Sequence, residues 1–236
     1  IMIGNSTNKK GLSIIVPILN EAGVLTSFIK TIFDHSFYEN QLIFVDGGST
    51  DGGDEYVTSH QKCKLIKSKK GRAIQMNAGA KVAQYNLLYF IHVDSIPPKN
   101  FDLHILEKNA QGEKAGCFQL QFDSSHIALR LAAFASRFNN RFCRGGDQSL
   151  FIDKALFNQL NGFDENYQVC EDGELIDRIY KQCGFCVLPQ KLIRYDSRIN
   201  ENAVWKLHLH HGIIHLMRIT GYSPRKISRY YIAFLK

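Results

Sequence analysis

The chain has 236 residues, 44% of them hydrophobic and 22% charged, and 29 Lys and Arg against 22 Asp and Glu give a formal net charge of +7. That length fits one domain with an appendage and can bury a sizeable core. The composition excludes a disordered, collagen-like or coiled-coil chain. No apolar run approaches the roughly 18–20 residues that span a bilayer, which argues against an integral membrane protein.

Residues 1–10 carry no signal-peptide apolar stretch and read as a flexible lead. Leu12–Ile18 is a β-branched strand run, after which Asn20 is placed to cap a helix through about His35. Gln41–Val45 predicts a second strand stopped by Asp46-Gly47-Gly48, with Ser49-Thr50-Asp51 capping the next helix. Cys63–Lys67 predicts a third strand, Gly71–Gln84 a helix and Leu87–His92 a fourth strand, closed by Asp94-Ser95 and Pro97-Pro98. Strands alternating with helices, the strands continuously apolar, predict a mostly parallel α/β sheet covered on both faces.

Beyond residue 100 the alternation loosens. The pattern predicts a strand over Gly116–Phe122, a helix over Ile127–Phe142, and short strands over Ser149–Ile152 and Phe185–Leu188. Helices follow over Cys170–Cys183, Ala203–Thr220 and Pro224–Phe234. Residues 201–236 hold six basic side chains, Arg218, Arg225 and Lys226 among them, against one acid, Glu201. This segment reads as a basic helical C-terminal extension, either packed with a solvated basic face or lying on an anionic membrane surface. Of six cysteines only Cys183 and Cys186 have ligand-like spacing, with no second pair to complete a zinc site, so all six read as reduced structural thiols of a cytoplasmic protein.

In open α/β sheets ligands bind at the carboxyl ends of the strands. Three such ends carry acids here: Pro17-Ile18-Leu19-Asn20-Glu21, Asp46-Gly47-Gly48-Ser49-Thr50-Asp51 and His92-Val93-Asp94. Neither a dinucleotide fingerprint nor a P-loop occurs. Asp46 can accept the ring donors of a base, or simply fix the Ser49–Asp51 turn. Arg72, beside Lys69 and Lys70 at a helix start, suits a base edge or a diphosphate, or else a solvated helix end. Glu21 either lines the same pocket or favours its helix N-terminus.

Taken in order, these stretches resemble family-2 glycosyltransferases of the GT-A fold. Leu12–Glu21 is similar to their opening motif, Phe44–Gly52 to the second, and Lys70–Ala80 to the third, while His92-Val93-Asp94 stands at their D-x-D position with one acid replaced. Gly146-Asp147-Gln148, Gly162-Phe163 and Glu171-Asp172 resemble the acceptor-side half, so the resemblance covers about residues 11–190. Trp205 and Tyr222–Arg225 are similar to a small bacterial subgroup.

The resemblance implies a Rossmann-like GT-A domain over residues 11–200. Residues 11–99 would form its nucleotide-sugar half and 100–200 its acceptor half. The implied activity is inverting transfer of a sugar from a nucleotide-diphosphate donor, UDP favoured, to an unidentified hydroxyl acceptor that the basic tail suggests is lipid-linked. Asp172, with Glu171 behind it, would be the general base. Pro17, Asn20, Glu21, Asp46, Gly48, Arg72 and Asp94 would bind the donor, and Gly146, Asp147 and Gln148 would shape the sugar or acceptor pocket. Asp94 would hold Mn²⁺ or Mg²⁺ against the diphosphate. A late histidine of the His208, His210, His211 and His215 cluster would assist, His211 being the named candidate because it shares a helix face with His215. Two rival readings are a nucleotidyltransferase, which would want a basic Gly-rich loop after the first strand, and a non-catalytic nucleotide-sugar-binding scaffold, which would have no need of Asp172.

Overall fold

The computed structural model describes residues 10–124, 126–195 and 201–235; inside the helix that opens at Glu201, the side chains at 201–208 and 211 lie outside that description. Eight strands form one sheet: β1 Ser13–Ile18, β2 Gln41–Asp46, β3 Cys63–Lys67, β4 Leu87–Phe90, β5 Ser95–Ile96, β6 Ala115–Phe122, β7 Leu150–Asp153 and β8 Cys186–Arg194. Their spatial order is β3-β2-β1-β4-β7-β6-β8-β5. The first four run parallel, β7 is antiparallel to both β4 and β6, and β8 runs parallel to β6.

Nine helices accompany the sheet among the described residues: α1 Ala22–His35, α2 Gly53–Thr58, α3 Arg72–Lys81, α4 Phe101–Ala110, α5 Ile127–Ala135, α6 Lys154–Gln159, α7 Glu171–Gln182, α8 Glu201–Ile219 and α9 Pro224–Leu235. Successive strand residues point to opposite faces. Ile14, Val16, Ile18 and Phe44 therefore join α1 and α4 through Leu25, Phe28, Ile32, Phe101 and Ile105. Ile15, Ile43, Val45 and Phe90 join α3, α6 and α7 through Ala73, Met76, Phe157, Ile176 and Ile179. Residue Gly79 lets α3 sit directly on the sheet, since a Cβ there would stand 2.4 Å from Ile15 Cγ2.

Three local expectations change. The helix expected over Ile127–Phe142 ends at Ala135, where Ser136 turns its hydroxyl to accept the Leu120 N–H at 2.8 Å; a single 3-10 turn, Arg141–Cys143, follows. The last strand does not stop at Leu188. A register shift, with Phe118 opposite Leu188 but Gln119 opposite Lys191, absorbs Pro189 and Gln190, and pairing continues to Arg194. The helices α4 and α6 were not foreseen. Buried Asp102 in α4 accepts the Phe37 and Tyr38 N–H groups, tying the loop after α1 in place. All six cysteines are free, and no described helix is long and apolar enough to cross a membrane.

Candidate active site

One sheet edge collects the chemistry, and the topology says why. It carries the carboxyl ends of β1, β2 and β4, and also that of β8, which runs in the same sense. Because β7 runs the other way, its amino end, preceded by the 3-10 turn Gly146–Gln148, reaches the same edge.

The first two strand ends are stapled to each other, and Asp51 also holds the start of its own helix, its Oδ1 accepting the Gly53 N–H at 3.1 Å. Asn20, at φ +58°, accepts the Thr50 N–H at 2.8 Å through Oδ1, while its own N–H donates to Ser49 Oγ at 2.9 Å. The α1 N-terminus is capped across the gap, with Ala22 N–H donating to Asp51 Oδ2 at 2.8 Å. Asp46 is buried, and its Oδ1 accepts both the backbone N–H and the hydroxyl of Ser49, at 2.9 and 2.6 Å. Gly48, at φ +98°, permits the turn. Pro17 lies inside β1 opposite Val45 and contributes backbone, not a functional side chain.

Arg72 faces four carboxylates at once. Arg72 keeps an exposed surface; partial loss of water works against its charge, but Glu171, Asp172, Asp147 and Asp94 outweigh it and hold the guanidinium more firmly protonated than usual. Glu21 belongs to the same cluster: burial and nearby Asp94 raise its pKa, against the opposing pull of Arg72. Glu171 is 3% exposed, and burial with Asp172 beside it pushes its carboxyl up to about 7. Asp172 is also raised by burial, against the stabilising hydrogen bond from the Gly173 N–H. The pair opens α7 behind Cys170, which takes a left-handed conformation.

Arg194 completes the cluster. It is paired with Ser95 across β8 and β5. Its Nη2 lies 2.9 Å from Asp94 Oδ2 and its Nη1 2.7 Å from Asp147 Oδ1. A cavity of about 20 Å³, room for one water, lies beneath, lined by His92, Ser149, Glu171 and Asp172 among others. A larger groove, about 570 Å³, lies elsewhere, between β6 and α5, and contains none of these carboxylates.

The family model for glycosyl transferase family 2 matches residues 13–184, most of the chain. The chain belongs to glycosyl transferase family 2. Among solved structures it is similar to a mannosyltransferase, PcManGT from Pyrobaculum calidifontis, solved with GDP-Man and Mn²⁺, at TM-score 0.71 and 15% identity over 93% of this chain and 67% of that one. It is also similar to S. aureus TarS at TM-score 0.63 and 15% identity, covering 91% of this chain and 44% of TarS. TarS 1-349 in complex with UDP-GlcNAc gives TM-score 0.60 at 14% identity, over 96% and 71% of the two chains. No curated protein matches the chain. The fold is GT-A, and the chain is a glycosyltransferase.

Within this family-2 frame the expected residues divide. Glu21, Arg72, Asp94, Asp147, Glu171 and Asp172 converge. Gln148 does not join them: it is 6% exposed, and its amide is spent on Cys143 O, Cys117 Sγ and the buried Arg144 guanidinium. Gly146 supplies backbone to the turn. The side chain of His211 lies outside the described residues. Of its cluster, His210 bonds Tyr230 Oη through Nδ1 and stacks on Phe234, while His215 Nδ1 meets Arg218 and its ring lies against Phe142.

A divalent ion held by one or two carboxylates and the donor phosphates needs those carboxylates free. Here Asp94 and Asp147 are both engaged by Arg194, and no three His, Cys, Asp or Glu side chains among the described residues converge on a metal position. Among the described residues, the acids are therefore committed to a guanidinium and do not fit a metal as placed. Sequence reading missed two arginines. Arg194 sits 100 residues from Asp94 in a strand expected to end earlier. Arg218, counted in the basic tail, is instead 8% exposed, pairs with Asp177 and donates to Gly173 O at 2.8 Å, bracing the first turn of α7.

Proposed function

We propose that this family-2 transferase moves a sugar from a nucleoside-diphosphate donor to a hydroxyl acceptor with inversion at the anomeric carbon. The observation that carries the reading is the convergence of Arg72 with Glu171, Asp172, Asp147 and Asp94 at the carboxyl edge of the sheet. Asp172 takes the acceptor's proton as its oxygen bonds to the anomeric carbon; the bond to the diphosphate breaks on the opposite side, and its electron pair leaves with the nucleoside diphosphate. Glu171, its carboxyl near neutrality, keeps a second negative charge out of the base's surroundings. UDP is the favoured carrier in this reading: Asp46, one oxygen already held by the Ser49 turn, would accept from the base, and Arg72 would meet the donor.

The acceptor in this reading is lipid-borne. Its support is the outer surface of the C-terminal helices, where Leu209, Leu216, Ile232 and Phe234 are exposed alongside Arg225, Lys226 and Arg229. The donor site is tested by thermal shift against nucleoside diphosphates and their sugars. Saturating UDP at one hundred times Kd raises stability by about 2.7 kcal/mol. The reading expects that shift to survive Asp172→Asn, whereas turnover does not. A protein indifferent to every nucleoside diphosphate and sugar nucleotide contradicts it.

A further inference from the structure

Resting on that donor reading, we propose that Arg194 is the cation that receives the leaving diphosphate, filling with a guanidinium the position between Asp94 and Asp147. The topology delivers it there. Once Pro189 and Gln190 have been absorbed, β8 runs to the functional edge and sets Arg194 opposite Ser95, one residue past Asp94. The Tyr195 N–H donates to Asp94 O at 3.1 Å, so the backbone fixes the pairing independently of the side chains.

The side chain is then clamped between carboxylates from two separate strand ends, Asp94 at 2.9 Å and Asp147 at 2.7 Å, and is 17% exposed. Nη1 is within ion-pair distance of Asp147 but makes no hydrogen bond among the described residues. A guanidinium carries five N–H donors, more than these two carboxylate contacts use, and a phosphate oxygen at the mouth of the site can accept from those that remain.

The acids here are matched to a guanidinium rather than to a metal. Position 92 carries His where a second carboxylate would strengthen a metal site, leaving Asp94 as the sole acid of that triplet. A planar, permanently charged fork grips phosphate oxygens through two donors, and Arg72, in the field of Asp94 and Asp147 as well as Glu171 and Asp172, adds a second guanidinium. Asp94 thereby becomes a positioning residue: it aims Arg194, and Arg194 touches the substrate. Charge developing on the departing β-phosphate is met by N–H groups already in place, which is the arrangement electrostatic preorganisation requires.

The test is UDP binding by titration calorimetry, with uridine as the control lacking phosphate, each in excess EDTA and again with Mn²⁺. We expect UDP affinity and donor turnover in the wild-type chain to differ less than about twofold between the two conditions. Loss of a charged hydrogen-bonding group of this kind costs about 10- to 100-fold in affinity. Arg194→Ala is expected to weaken UDP by that factor and leave uridine unchanged, with Arg194→Lys in between. The wild-type comparison stands even if the alanine variant fails to fold. UDP binding that disappears in EDTA and returns with Mn²⁺ overturns the inference while leaving the donor reading intact. Arg194→Ala binding UDP as tightly as wild type overturns it as well. Binding of no nucleoside diphosphate under either condition overturns both.

Discussion

Glu171 and Asp172 are adjacent in sequence, share one buried helix start and are assigned different work. Asp172→Asn is expected to lower kcat by about 10²- to 10⁴-fold, the range for a lost general base, with the UDP thermal shift retained. The pair also sets a pH dependence. Both carboxyls are raised by burial, Glu171 to about 7, so the base takes up its proton at a higher pH than an ordinary aspartate and the rate should show an acid limb as pH falls. Glu171→Gln removes one partner of the coupled pair and should move that acid limb to lower pH, readable in a kcat profile. For stability the sign is as follows. The folded state holds the Glu171 proton to higher pH than the unfolded chain does, so stability declines as pH rises from about 4.5 to about 7. The decline is about 3 kcal/mol at most, and Glu171→Gln should flatten it in melts taken across that interval.

At the scale of elements, the sequence was legible where the chain obeys one period. The strands β1 to β4 and the helices between them follow from continuous apolar runs and their punctuation. The acids at the three strand ends were likewise readable, because Asp and Glu stand just beyond each run. What escaped was set by tertiary partners. Pro189 looks like a strand terminator, and only the register against β6 shows that β8 bulges there and resumes pairing beyond it. Arg194 was lost with the end of that strand. Arg218 reads as one more tail charge until α8 is seen to place it under α7. Removing it strands Asp177, and breaking a buried pair from one side costs about 3 kcal/mol or more. Arg218→Ala should therefore depress the melting temperature and the catalytic rate together, whereas exposed Arg225→Ala should change neither. Gly79→Ala tests the helix–sheet contact. Its Cβ meets Ile15 at 2.4 Å, and overpacking of this kind costs about 1–3 kcal/mol, measurable as a lower denaturant midpoint.

At the scale of the molecule, residues from Glu21 to Arg194 meet on one edge because a parallel half and an antiparallel β7 direct different termini to the same side. Nothing local in the sequence states that geometry; it follows from strand order. The same view separates the core of the basic tail from its surface. Arg218 belongs to the fold, so the proposed contact with anionic lipid would fall to Arg225, Lys226 and Arg229 beside exposed Ile232 and Phe234. Reversing those three charges should abolish co-sedimentation with anionic vesicles while leaving the UDP shift unchanged; vesicle binding that persists would remove the case for a lipid-borne acceptor through this surface.

The most direct test of the central claim, that this strand-end cluster is a donor site worked by Asp172, is donor turnover measured beside donor binding. Purified wild type and Asp172→Asn are each incubated with UDP-sugars, and released UDP is quantified together with the thermal shift. The account predicts UDP release by the wild type, release reduced by at least about a hundredfold in the variant, and equal shifts for both. Equal UDP release from the two proteins would contradict it.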